Sequence, residues 1–367
     1  MPVWKLHVWL WRWRLTRGRE NRTMIRFAII GSGAIAEKHA AAIAAVPGAE
    51  LAAVWSRSKD RAAEFGSQYG ADSVSDLGEL AAREDIHAAT IATPSGAHAM
   101  AVIPFLENGK AVLCEKPLEI TLEKVDSILE TARRTGAPLA AVLQLRLGAG
   151  AQALKQAVTR GRFGRLALCS AYLKWWRNQA YYDAVDWRGT WALDGGGALM
   201  NQGIHAVDLL QWLVGMPDGI FAFSSMVAHE RIKVEDTISV ALQYPHGAVG
   251  VIEASTACKP GHSMRIELCG NRGSAILEDD RIVRWQFDDE CPEDEMLRQA
   301  VGGTIVGGSA DPRAIGFEGH RILVEDLVAS ICEKRPPRIP GTEARNAVRI
   351  VLAAYESARE SRMVRLT

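Results

Sequence analysis

Residues Ile25–Ile30, apolar except for Arg26, run into Gly31-Ser32-Gly33 and then into an alanine-rich stretch that ends before Pro47-Gly48. No other feature narrows the possible folds as much. A short apolar run stopped by glycines and followed by a helical pattern opens a β-α unit. The unit then recurs. Residues 50–55 read as strand and Lys59–Tyr69 as helix; 88–92 read as strand, stopped by Thr93-Pro94, and 98–108 as helix. Gly109 ends that helix, Ala111–Cys114 is the next strand, 121–135 is helical, and 139–144 closes the series. Strands alternating with helices at this spacing predict a doubly wound parallel α/β sheet over residues 24–146.

After about residue 147 the pattern changes. Residues 165–174 are strand-like and 198–214 helical, and longer strands follow without helices between them. Ile238, Val240, Leu242 and Tyr244 alternate with other residues, Pro245-His246-Gly247 turns, and 248–256 runs back. Short hairpin steps at 264–269, 274–278 and Arg281–Phe287 continue the pattern, which predicts a mostly antiparallel sheet with helices on one face. Residues 288–295 read as an acidic loop and 302–308 as a flexible one; helices at 317–333 and 342–360 flank Pro336-Pro337. Residues 147–367 are thus expected to form an α+β domain.

At 367 residues the chain has room for two domains of ~100–200 residues each. Its 43 basic and 43 acidic side chains balance, so nothing favours nucleic acid, and a small-molecule partner fits better. Six scattered cysteines without a Cys-x-x-Cys pair suit reduced thiols in a cytoplasmic enzyme. Residues 1–23 differ: Trp4, Trp9, Trp11 and Trp13 are interleaved with Lys5, Arg12 and Arg14. The segment lacks the apolar core and cleavage site of a signal peptide, and no stretch of the chain reaches the ~18 apolar residues of a membrane span. It reads as a basic extension upstream of a domain starting at Met24, with contact to a membrane surface as the other reading.

Gly31-Ser32-Gly33-Ala34-Ile35-Ala36 stands where a dinucleotide fingerprint must stand, between strand and helix. Gly31 allows the tight turn, Gly33 the approach of a pyrophosphate, and the helix start faces the phosphates. The second strand ends in Ser56-Arg57. A neutral side chain followed by Arg suits the extra phosphate of NADP and favours it over NAD; the alternative, Arg57 stacked on adenine, serves either cofactor. Thr93, Pro94 and His98 belong to the same cofactor cleft, His98 reading as a helix-start residue rather than a catalyst. Glu115-Lys116-Pro117 sets an ammonium at the end of a strand, the side on which open α/β sheets bind ligands. Farther on, Asn201 and His205 are four apart within a glycine-led helix, so both project from one face. His205 can take the proton of an alcohol as hydride leaves, and Asp208 is placed to orient it or to serve as a cap or surface residue. No cluster has metal-ligand spacing, which argues against a zinc-dependent alcohol dehydrogenase.

Taken in order, Gly31–Ala36, Thr93-Pro94 through His98, Glu115-Lys116-Pro117, the 195–208 block, Gly319-His320-Arg321 and Pro336-Pro337 resemble the Gfo/Idh/MocA oxidoreductases. The resemblance implies a Rossmann domain followed by an α/β domain whose open sheet makes dimer or tetramer contacts. It gives Lys116 the place beside the nicotinamide and the reacting hydroxyl, and His205 that of the acid/base histidine. Asn201 falls where inositol dehydrogenase-like members carry Asp, so it is expected to position substrate. The aromatic, polar run with Trp176, Arg177, Tyr182 and Trp187 suits a sugar, or alternatively packs on a neighbouring subunit. Gln144 and Arg146 point toward the cleft under this reading. The expected activity is NAD(P)-dependent hydride transfer to or from a secondary hydroxyl or ketone of a sugar, cyclitol or sugar derivative. An NAD-retaining glycosidase and a nucleotide-sensing regulator are the rivals.

Overall fold

The computed structural model describes residues 24–299 and 316–366. The Trp-rich segment 1–23 and the whole of the expected flexible loop, 302–308, lie outside the described residues. The first half alternates as the periodicity predicts: β1 (Ile25–Ile30), α1 (Ala34–Ala44), β2 (Ala49–Trp55) and α2 (Lys59–Tyr69). It continues through β3 (Asp72–Val74), α3 (Leu77–Ala82), β4 (Ala88–Ile91), α4 (His98–Glu107), β5 (Ala111–Cys114), α5 (Leu122–Thr135) and β6 (Leu139–Ala141). The six strands run parallel in the order β3-β2-β1-β4-β5-β6. Strands β4 and β5 are buried along their whole length because helices cover both faces. The polar β3 and short α3 have too little periodicity to be seen in sequence. Beyond β6 the backbone turns into a 3-10 segment at Gln144–Leu147, earlier than the apolar run suggests.

The second half holds α6 (Ala149–Thr159), β7 (Leu166–Lys174), α7 (Gln179–Asp183), a π-helical segment Ala198–Gly203, and α8 (Ile204–Val214). Then come β8 (Gly219–Ser225), β9 (Thr237–Gln243), β10 (Val249–Ser255), β11 (Arg265–Gly270), β12 (Gly273–Glu278) and β13 (Arg281–Phe287). Residues 288–295 are not wholly a loop. Pro292–Gln299 forms a helix, α9, in which Asp294 accepts hydrogen bonds from Arg162 and Trp285, a long-range pairing that composition cannot reveal. Helices α10 (Glu318–Glu333) and α11 (Gly341–Glu360) and strand β14 (Val364–Arg365) complete the described chain.

The second sheet has eight strands in the order β13-β12-β11-β7-β10-β9-β8-β14, antiparallel except where β7 meets β10. Helices α8 and α11 cover one face. The other face leaves Leu168 51%, Val249 50% and Phe223 71% exposed. Helix α10 returns to pack against α1 and β5, so one apolar cluster joins the two sheets. No helix among the described residues is long and apolar enough to cross a membrane.

Candidate active site

Because the first sheet is wholly parallel, the turns after β1, β2, β4 and β5 emerge on one edge. There they border a cleft of about 1630 Å³, whose far wall comes from the segment after β7 and from the π-helical segment and α8. Gly31 has φ +119°, and a Cβ there would stand 2.4 Å from the Ala92 carbonyl oxygen, so the turn admits only glycine. Gly33 begins α1 without a side-chain cap, which leaves the first N–H groups facing the cleft for an anionic group. Ser32, Ala34, Ile35, Ser56 and Arg57 border this part, and the Ser32 hydroxyl meets Ser56 Oγ at 3.1 Å. A bare helix start and a glycine-only turn fit a dinucleotide pyrophosphate. The nicotinamide end would then lie near Thr93, Pro94 and Lys116, which also line the cleft.

His98 is not on that surface. It begins α4, is buried, and its Nδ1 and Nε2 lie 2.7 and 3.1 Å from the carbonyl oxygens of Pro117 and Thr93. His98 and Pro117 therefore tie the β4 and β5 turns together from behind, rather than facing the cofactor cleft as the sequence reading had them.

Glu115 borders the cleft with its carboxylate turned inward. Its Oε1 lies 3.1 Å from His39 Nε2 and 2.9 Å from His320 Nε2, and its Oε2 accepts the Lys116 N–H at 3.2 Å. Burial alone would raise its pKa, but the two imidazoles outweigh burial and hold it well below the usual carboxylate range. The ligand atoms of His39, Glu115 and His320 lie within 4.8 Å of one another, a grouping that local spacing could not show. Hydrogen bonding accounts for it.

Lys116 Nζ donates to the Asn201 carbonyl at 2.8 Å and lies 3.5 Å from Asn201 Oδ1. Burial lowers its pKa, Glu115 and Asp194 oppose that, and Arg177 and Arg188 reinforce it. The Asn201 amide donates to Asp194 Oδ1 at 2.6 Å. His205, in the first turn of α8, lines the same cleft, and its buried Nδ1 has no hydrogen-bond partner. Burial, with Lys116 adding, pushes its pKa down to about 3, so the ring is uncharged at neutral pH. Lys116, Asn201 and His205 are thus brought together, although Asn201 sits in a π-helical turn rather than a regular α-helix. Single-turn π segments recur at functional sites.

Two expectations fail together. Asp208 does not orient His205, and Arg146 does not face the cleft: the two form a buried bidentate pair at 2.6 and 2.8 Å, and Arg146 also bonds Glu343. An arginine that is 3% exposed needs such partners, and α8 supplies one. Gln144 does line the cleft. So do Trp176, Arg177 and Trp187. Tyr182 does not. Its hydroxyl pairs with Thr256 at 2.8 Å and its ring packs with Ile232 and Val234, whereas Tyr181 takes the cleft position beneath Arg188. With a helical turn at Gln179–Asp183, adjacent tyrosines point about 100° apart, and their rings meet edge to face at 5.2 Å. Tyr181 and Arg188 belong to the aromatic, polar run that the sequence assigns to a sugar. Local pattern gives no individual role to His39, Asp194 or His320; only the glycine block around Asp194 and the Gly319-His320-Arg321 stretch stand out.

Residues 25–142 match the oxidoreductase family with an NAD-binding Rossmann fold, and residues 151–276 match the GFO/IDH/MocA C-terminal domain. The structure resembles the WlbA dehydrogenase from Bordetella pertussis in complex with NADH and UDP-GlcNAcA, with TM-score 0.85, 31% identity, and 95% of this chain and 99% of that one covered. Trans-1,2-dihydrobenzene-1,2-diol dehydrogenase of Mus musculus is 30% identical over 69% of this chain and 74% of its own length. Inositol 2-dehydrogenase of Rhizobium meliloti (strain 1021) is 28% identical over 71% and 77%. The two family matches, which between them span most of the chain, and the fold shared with these dehydrogenases make this chain a member of the Gfo/Idh/MocA oxidoreductase family.

Proposed function

We propose that the chain is an NAD(H)-dependent dehydrogenase acting on a secondary hydroxyl of an anionic sugar derivative, with a nucleotide-linked sugar acid as its substrate class. The observation that carries this is the charge of the substrate side of the cleft, where Lys116, Arg177 and Arg188 stand among aromatic rings. Guanidinium groups pair with carboxylates and phosphates, and flat rings suit sugar faces. The WlbA dehydrogenases of Bordetella pertussis and Chromobacterium violaceum, 31% and 30% identical to this chain, hold NADH and UDP-GlcNAcA, which supports the same class here.

When bound, the nicotinamide supplies a hydride acceptor. The chain's own residues manage the oxygen. Lys116 faces it with an ammonium that stabilises developing negative charge, and uncharged His205 takes the hydroxyl proton as the carbon becomes a ketone. Asn201 keeps Lys116 in place. Ser56 and Arg57 leave room for the phosphate of NADP, so both cofactors are turned over, and Ser56→Asp moves the preference toward NAD. We further infer that residues 24–146 form the cofactor half and 147–367 the substrate half, and that the uncovered sheet face joins copies of the chain. The six free cysteines suit a reducing, cytoplasmic setting.

A panel of UDP-linked sugars with and without a carboxylate, free sugars and inositols, read at nicotinamide absorbance with NAD and NADP, tests this reading. Faster turnover of the carboxylated nucleotide sugars is expected. Preference for an uncharged cyclitol would overturn the substrate class.

A further inference from the structure

Asp194 lies behind the cleft wall, fully buried, and none of its atoms borders the cleft. Its Oδ2 accepts the Gly189 N–H at 2.9 Å, and its Oδ1 accepts the Asn201 side-chain N–H at 2.6 Å. A carboxylate can only accept, so the Asn201 amide must turn its Nδ2 toward Asp194. Its Oδ1 is thereby turned toward Lys116 Nζ, at 3.5 Å, while the Asn201 carbonyl takes the ammonium at 2.8 Å. An amide turned the other way would set N–H groups against an ammonium. Charge points the same way. Arg177 and Arg188 face Lys116 and disfavour its protonated form, and uncharged His205 lies across the cleft. Of the two carboxylates that favour the ammonium, Glu115 is already held between His39 and His320, which leaves Asp194.

We propose that Asp194 is a positioning residue for Lys116: through the Asn201 amide it fixes the ammonium toward the reacting oxygen and supplies the counter-charge that position 201 itself lacks. This rests on Lys116 facing the substrate oxygen, but the coupling between Asp194 and Lys116 can be read without substrate. The groups facing Asp194 are Lys116, Arg188, Tyr181, Tyr182 and the Asn201 amide. Burial pushes its pKa up to about 6, so its charge, and its effect on Lys116, is present above that pH.

The test is competitive trace acylation of Lys116 with acetic anhydride across pH, quantified by mass spectrometry on the enzyme without substrate. Asp194→Asn should lower the labelling midpoint by about one pH unit, the scale on which a nearby opposite charge acts. The exchanged pair Asp194→Asn with Asn201→Asp should restore it, since the charge returns on the other side of the same hydrogen bond. An unchanged midpoint in the single variant, with only a loss of thermal stability, would show that Asp194 merely ties down the Gly189 loop. If Asp194→Asn does not fold, Asn201→Ala cuts the link and leaves the Gly189 bond intact. It should lower kcat by up to about 100-fold at unchanged KM for NAD, the scale of one misplaced catalytic group; an unchanged kcat would overturn the proposal. Failure of the substrate panel would leave the labelling result standing, so the two readings fail separately.

Discussion

Lys116 ends a fully buried strand, and the site's chemistry is concentrated on its ammonium. Lys116→Ala removes both the charge and the link to Asn201 while leaving the Gly31 turn untouched. Turnover should fall by about 10²–10⁴, the range for a positioned proton-handling group, while NADH binding measured by fluorescence persists. Loss of binding instead would place Lys116 in the cofactor's grip rather than the chemistry. Gly31→Ala should do the reverse. A Cβ 2.4 Å from a backbone oxygen cannot be relieved by a side-chain rotation, so cofactor affinity should drop with the fold otherwise retained.

At the scale of elements, the π-helical segment that carries Asn201 is clamped from behind. Glu235 accepts the Gly197 and Leu199 N–H groups, each at 2.9 Å, and the Tyr355 hydroxyl of α11 donates to Glu235 at 2.9 Å. The same hydroxyl accepts the Met200 N–H at 3.1 Å. A Cβ on Gly197 would fall 1.7 Å from the Glu235 carbonyl oxygen, which explains why position 197 must be glycine. Tyr355→Phe strips the clamp of one member and takes from the buried Met200 N–H its partner in it, while Glu235 keeps the Gly197 and Leu199 N–H groups. A loss of about 1–3 kcal/mol in urea unfolding is expected, together with slower turnover. Unaltered stability would mean that packing alone holds the segment.

For the whole molecule, buried titratable groups set a window of pH. Burial raises Asp194 to about 6 and Glu235 to about 7, so the stability that each contributes is present at low pH and lost as pH rises through those values. His39, His98 and His205 are lowered chiefly by burial, and their contribution, present when neutral, is lost as pH falls below the ordinary 6.5. Unfolding free energy from urea titrations should therefore be greater near pH 6.5 than at pH 8 or pH 5; a monotonic profile would contradict it. On the outer sheet face, Phe223, 71% exposed, offers apolar area suited to a second copy. Phe223→Lys should shift the species seen by light scattering toward monomer, and an identical mass in both proteins would remove that face from the interface.

Local pattern alone made much of this legible. The apolar runs that became β1, β4 and β5, the glycine turn after β1, and Lys116 at a strand end all follow from periodicity and punctuation within a few residues. His205 and Asn201 were legible for the same reason, since a helical repeat of four needs no knowledge of the rest of the chain. What only the tertiary structure decided is who meets whom. Arg146 reaches Asp208 across 62 residues and His320 reaches Glu115 across 205, and each contact reassigned or added a role that spacing cannot encode. Tyr181 and Tyr182 are neighbours whose fates differ because the Thr256 hydroxyl and Ile232 lie on one side only. Local sequence specifies which groups can do chemistry; burial and long-range hydrogen bonding decide which of them face the cleft, because a buried charge or hydroxyl must find its partner wherever packing has placed it.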